Sequence, residues 1–352
     1  MYTLESRKIR FAFSTIYFLT YLALGVYWTY GNIYFREQGL SVSEIGVLNA
    51  VYFAVAVIGH PFLGFIYDRS SNKHVVIACT SILAAASGFL VPFQSEPVGR
   101  IVVYALFSLF LSSLMPLLDA WSLIWCREGG HSFETIRVWG SYGYLFSSVL
   151  GGLALDRAGL VWAYYIPALV LLGICLSVFA FEKSGSLPSQ EMVGCVSQSL
   201  DKDEIKHMVT RGDFVRLLAV SLLYRIALTG PLSLLSVYFD YRGLSALEIG
   251  FGMIIGGLSE MAIIMWNQTL FDYMSDDTLL TVSIISSGIR WLLLISAKSP
   301  FCLLATQVFE GLNYMLFYLV AVQKVNDLFP PELAGAGQTI FGRLSCIWNN
   351  GR

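Results

Sequence analysis

Residues Tyr34–Gly46 read YFREQGLSVSEIG and residues Tyr238–Gly250 read YFDYRGLSALEIG, identical at eight of thirteen positions with a constant offset of 204. Local chemistry accounts for each copy by itself: Gly and Ser end one helix, and Ser followed by Glu starts the next. It does not account for the shared register, which extends outward, because Asp68 maps onto Asp272 at the same offset. A repeat of this length with an apolar run on either side of each copy implies two halves built on one plan, in a parallel arrangement.

Composition decides what surrounds those halves. The chain is 56% hydrophobic and 13% charged, against about 45–50% and about 25% for soluble domains. It is read as an all-α integral membrane protein whose first partner is the lipid bilayer. A net charge of −2 without a dense Lys/Arg block excludes a nucleic-acid partner. Cys79, Cys126, Cys175, Cys195, Cys302 and Cys346 are scattered with no CxxC and no nearby His, so neither a disulfide framework nor a metal site is expected. The run from Phe11 to Phe35 follows Arg7, Lys8 and Arg10 and lacks a small-residue cleavage site; it is read as an uncleaved first span.

A hydrocarbon core about 30 Å thick needs about 20 apolar helical residues. On that ruler ten complete spans are expected, at approximately 10–35, 43–66, 75–93, 98–125, 138–156, 160–181, 214–239, 247–271, 278–297 and 300–322. Residues 182–213 are polar, carry the charged run DKDEIKH and lie between the repeat copies. The expected organisation is therefore a bundle over 1–181, a linker over 182–213 and a second bundle over 214–352. Thirteen Lys/Arg on one side against five on the other place the N-terminus and linker in the cytosol. After Pro331 the sequence opens an eleventh span but stops at NNGR, so against a plan of two six-helix repeats the second half is expected to be truncated by roughly 40 residues.

With these features the sequence resembles the major facilitator superfamily, in the branch of lactose permease and phenylpropionate permease-like transporters. The resemblance is carried by Gly39-Leu40-Ser41 with Ile45-Gly46, by Gly64-x-x-x-Asp68-Arg69-x-x-x-Lys73, by Arg137-x-Trp139-Gly140-Ser141 and by Gln307-x-x-Glu310-Gly311. The pattern is departed from at Ser71, where the superfamily usually has Gly, at Asn72, where a base is common, and at Glu310, where branch members often carry His. The resemblance implies alternating-access transport of a small organic solute (a sugar, nucleoside or aromatic acid) coupled to protons in the second half, by a monomer without a cofactor. It also implies that Asp68 faces the start of span eleven and holds a cytosolic gate, with Arg69 beside it.

Read from the residues, the chemistry concentrates where charge enters the bilayer. Arg225, Glu260, Arg290 and Glu310 lie 11, 13, 12 and 10 residues into their spans, near the midplane at about 1.5 Å per residue. Ionisable groups there are costly, so each requires a partner or a function. Two acids and two bases at one depth make a charge-balanced cluster, either a proton-coupling site or salt bridges that lock helices together. Glu260 and Arg290, on consecutive antiparallel spans, are the expected partners. Gln307 and Asn313 flank Glu310 at i−3 and i+3 and share its helical face.

The first half offers aromatics and amides: Tyr27, Trp28, Tyr30 and Asn32 in span one, Asn49, Tyr52 and His60 in span two. They are read either as the lining of a solute cavity or as packing and interfacial belt. Asp119 and Arg137 are expected to pair between spans four and five at the cytosolic mouth. Glu44 and Glu248 need only helix-start electrostatics. No nucleophile–base pair or metal-ligand spacing suggests an enzyme. The alternative to a transporter is a transport-inactive receptor or scaffold of the same architecture.

Overall fold

The computed structural model describes residues 4–129, 132–183, 210–329 and 341. Most of the expected linker and of the expected eleventh span lies outside the described residues. The helices form spans one to six at Leu4–Glu37, Val42–Arg69, Lys73–Leu90, Pro97–Gly129, Glu134–Ala158 and Trp162–Lys183. Spans seven to ten follow at Gly212–Tyr241, Ala246–Tyr273, Asp276–Ser296 and Pro300–Leu328. Nine of the ten are long and apolar enough to cross a bilayer; span five is the exception. Its sequence explains this: Gly140, Gly143, Ser147, Ser148, Gly151 and Gly152 are all buried, and small residues lower hydropathy while allowing helices to approach closely.

The two repeat copies fold alike down to their hydrogen bonds. Gly39 and Gly243 both take φ 84°, the left-handed conformation that ends a helix. In the first copy Ser41 N–H donates to Glu44 Oε2 at 2.8 Å and Glu44 N–H to Ser41 Oγ at 3.3 Å. In the second copy Ser245 and Glu248 make the same two bonds at 2.8 and 3.3 Å. Each is a capping box. Span seven is interrupted at Leu234, just after Pro231, and resumes as a short helix over Leu235–Tyr241; proline inside a helix removes a donor and crowds the preceding turn.

The described chain divides into two compact units, Met1–Glu191 with Leu244–Gly250, and Met192–Gly243 with Phe251–Arg352. In the first, span one packs along spans five and six, and span four along spans two and three. The approach of spans one and five is tight: a Cβ on Gly143 would lie 2.3 Å from the Phe18 carbonyl oxygen. Within the same unit Asp156 accepts the backbone N–H groups of Ala246 and Leu247 at 2.8 and 3.1 Å. In the second unit span nine packs against span ten. An apolar cluster of Phe214, Leu217, Leu228, Phe317, Ala321 and Val325 joins span seven to the end of span ten.

Candidate functional site

Span ten is where the regular helix fails. It runs as an α-helix over Pro300–Ala305, a 3₁₀ turn over Thr306–Phe309, a π-helical segment over Gly311–Leu316 and an α-helix again over Phe317–Leu328. The expected polar face of Gln307, Glu310 and Asn313 lies on this irregular stretch, and all three side chains are buried. Arg290, from span nine, is 1% exposed. Its Nη1 donates to Glu310 Oε2 and its Nη2 to Gln307 Oε1 at 2.8 Å. The expected pairing of Glu260 with Arg290 is thus replaced by Glu310 with Arg290. Spans nine and ten are consecutive just as spans eight and nine are, and the direction of the side chains selects that pair.

Around the ion pair lies a shell of hydroxyls. Ser286 Oγ donates to Asn313 Oδ1 at 2.8 Å. The Tyr224 hydroxyl, from span seven, lies 3.0 Å from the Asn313 carbonyl oxygen and pairs with Ser287 Oγ; its ring stacks on Phe317 at 4.3 Å. Ser259, from span eight, receives the Gly311 N–H on Oγ at 2.8 Å. A Cβ on Gly311 would stand 2.2 Å from the Ser259 carbonyl oxygen, so spans eight and ten touch there through backbone. Among the described residues Arg290 Nε and Asn313 Nδ2 are buried without a hydrogen-bond partner, donors that an acceptor atom of a bound solute could satisfy. Arg225 is half-buried near Tyr224, Tyr314 and Tyr318. Glu260 is half-buried one residue after Ser259.

Tyr224, Ser259 and the span-nine serines escaped the sequence reading, although one signal was available. Ser283, Ser286, Ser287 and Arg290 recur at i, i+3, i+4 and i+7 and are all buried, a polar stripe with helical period.

The first unit places its expected residues differently. Tyr27, Tyr30 and Tyr52 are buried, and Tyr27 packs against Tyr52, Tyr104, Phe107 and Tyr164 with ring centroids 5.1–6.5 Å apart. The Tyr27 and Tyr104 hydroxyls are 2.6 Å apart, and the Tyr30 hydroxyl lies 2.5 and 3.0 Å from the Ser148 and Ala246 carbonyl oxygens. Trp28, Asn32 and Asn49 are half-buried. His60 Nε2 lies 3.2 Å from Ser112 Oγ.

At the other end of the unit Arg137 Nη1 donates to Asp119 Oδ1 at 3.2 Å, with each side chain about one-third exposed. The same carboxylate oxygen accepts the Tyr17 hydroxyl at 2.6 Å, and the guanidinium lies over the Tyr21 ring at 5.7 Å. Span one therefore joins the pair expected between spans four and five. Asp68 and Arg69 are exposed, with Arg69 stacked on Phe65 at 4.1 Å; the expected partner of Asp68 on span eleven lies outside the described residues.

The sequence and the fold are similar to those of known proteins. Residues 11–351 match the MFS_1 like family. The chain is 25% identical to the uncharacterized transporter YwbF of Bacillus subtilis (strain 168), over 99% of this chain and 86% of that protein. It is 23% identical to the maltose permease of Geobacillus stearothermophilus, over 94% and 82%. Among solved structures it is similar to the nucleoside transporter NupG, with a TM-score of 0.80 at 16% identity, covering 97% of this chain and 89% of that one. The chain belongs to the MFS_1 like family, which makes it a multi-pass major facilitator transporter and not an enzyme.

Proposed function

With membership of that family as the premise, we propose that the protein is a proton-coupled secondary transporter of a small organic solute. It works by alternating access, with Arg290, Glu310 and Gln307 as the coupling centre. The observation that carries this reading is the Arg290–Glu310 pair, fully buried between spans nine and ten of the second unit. A buried ion pair is a weak source of stability, because desolvation offsets most of its attraction. Its retention at bilayer depth therefore favours a working role, and a carboxylate beside a fixed cation can take up and release a proton as access to the site changes. Gln307 and Asn313 supply amide groups for a polar solute, and the unpartnered Arg290 Nε and Asn313 Nδ2 supply donors.

The solute classes to test are sugars, nucleosides and aromatic acids, since relatives of this fold include a maltose permease and a nucleoside transporter. The decisive experiment is uptake into proteoliposomes across such a panel, with and without an imposed pH gradient. Glu310→Gln is expected to abolish uphill, proton-driven accumulation while downhill exchange persists. Full accumulation by that variant would exclude Glu310 as the coupling group.

The N-terminus is proposed to be cytosolic, from the Lys/Arg distribution. Ser95→Cys, exposed between spans three and four, should then label from outside intact cells, and Ser71→Cys, exposed between spans two and three, should not. The reverse result would invert the topology.

A further inference from the structure

We propose that the irregular segment Thr306–Leu316 is an adjustable element that sets the Arg290–Glu310 contact, and that Ser259 and Tyr224 are the positioning residues that hold it in its present form. The inference rests on the reading of that pair as the proton site and adds the means by which a proton there would be felt in spans seven and eight.

A 3₁₀ turn has about 3.0 residues per turn against 3.6 for an α-helix, so four residues overwind by roughly 80° in all. The wider π turn that follows is underwound and takes this rotation back. The disturbance is thereby confined between the α-helices Pro300–Ala305 and Phe317–Leu328. Glu310 occupies the junction of the two turns and carries the rotation, which aims it at Arg290. A straight helix through the same residues would aim Glu310 elsewhere by nearly the angle between neighbouring residues, about 100°.

Such a break needs outside partners, because backbone groups released at bilayer depth cannot turn to water. The Gly311 N–H goes to Ser259 Oγ at 2.8 Å, and the Asn313 carbonyl oxygen accepts the Tyr224 hydroxyl at 3.0 Å. One partner comes from span eight and the other from span seven. The straight form would satisfy the same backbone groups within the helix. The straight helix is thus the second hydrogen-bonded arrangement of the proposed switch, which requires two discrete forms. Attraction between Arg290 and ionised Glu310 favours the broken form, and protonation of Glu310 weakens that attraction. Among the described residues, the other titratable groups near Glu310 include Tyr224 and Arg225 of span seven, Glu260 of span eight and Tyr314 and Tyr318 of span ten itself.

The test uses the proton as the only ligand. Amide hydrogen exchange of residues 306–316 is measured on the full-length protein in nanodiscs across a pH series, corrected for intrinsic exchange. The parent should show a single step in protection with pH, and Glu310→Gln should lack it. Ser259→Ala should lower protection of this segment about tenfold and move the step by at least about one pH unit, with Ser259→Thr restoring both. Tyr224→Phe should move the step as well, which keeps the test valid if Ser259→Ala folds poorly. Steps in both variants at the parent midpoint would overturn the proposal, as would a uniform loss of protection across spans seven to ten. The two readings fail separately. Uphill accumulation by Glu310→Gln with the step still shifted by Ser259→Ala removes proton coupling alone; loss of accumulation with an unmoved step removes the switch alone.

Discussion

The cores of the two units solve the same problem with different chemistry. In the first, Tyr27, Tyr52, Tyr104 and Tyr164 bury their rings together and satisfy polar atoms with neutral groups, as in the 2.6 Å contact between the Tyr27 and Tyr104 hydroxyls. In the second, Arg290, Glu310, Gln307 and Asn313 bring charge and amides to the same kind of place. Neutral hydroxyl pairs cost little to bury and carry no proton that titrates near neutrality, whereas an ion pair is costly and responsive. The contrast teaches that a duplicated fold can keep its helix caps while its buried centres diverge, to clustered tyrosines in one unit and an ion pair in the other.

The largest effect should come from splitting the ion pair. Arg290→Gln leaves an uncompensated carboxylate and should cost about 3–5 kcal/mol, read as a fall in thermal midpoint of purified protein. Arg290→Gln with Glu310→Gln should recover most of that loss. Additive losses in the double variant would mean that the two residues stabilise the unit independently.

Next come the backbone contacts, where the halves should behave alike in stability and unlike in function. Gly143→Ala would place a Cβ 2.3 Å from a carbonyl oxygen of span one, and Gly311→Ala would place one 2.2 Å from a carbonyl oxygen of span eight. Each should destabilise by about 1–3 kcal/mol through overpacking. Only Gly311→Ala should also alter the pH dependence of uptake, because only its contact adjoins the ion pair. Equal pH profiles in both variants would erase the distinction drawn between the cores.

These contacts also mark where the sequence was legible. Ten long helices, a buried charge cluster with Arg290 and Glu310, and the Asp119–Arg137 pair can be read because hydropathy and sign of charge are local or additive properties. The choice of Glu310 over Glu260 depends on the direction of side chains across three helices, and a break in span ten decides it. Nothing in Gln307-Val308-Phe309-Glu310-Gly311 announces a 3₁₀ turn followed by a π turn; the interruption depends on Ser259 and Tyr224, 52 and 89 residues earlier in the chain than the groups they meet. The tyrosines of spans one and two are readable as solute lining or as packing, but their contacts with Tyr104 and Tyr164, from spans four and six, depend on the assembled helices.

A smaller effect is expected from the neutral core. Tyr27→Phe removes one member of a hydroxyl pair and should cost about 1 kcal/mol, with the pH profile of uptake unchanged. The same change at Tyr224 should move that profile. Matching behaviour of the two tyrosines would show that burial alone, without the neighbouring charge, governs both.

The smallest effect tests the feature that the halves share. Ser41 and Ser245 cap their helices with the same pair of bonds to Glu44 and Glu248, at the same distances. Ser41→Ala and Ser245→Ala should each cost near the low end of capping losses, about 0.5 kcal/mol, because water can replace the hydroxyl at an exposed helix start. The two losses should agree within error in thermal unfolding, and neither should change uptake at saturating solute. A clear excess at Ser245 would have a specific cause to trace. The amides one and two residues beyond it already donate to Asp156, a contact with no counterpart at the first cap among the described residues. Repeating the comparison in an Asp156→Asn background separates the two: equal losses there assign the excess to that contact, and a persisting excess assigns it to the cap itself.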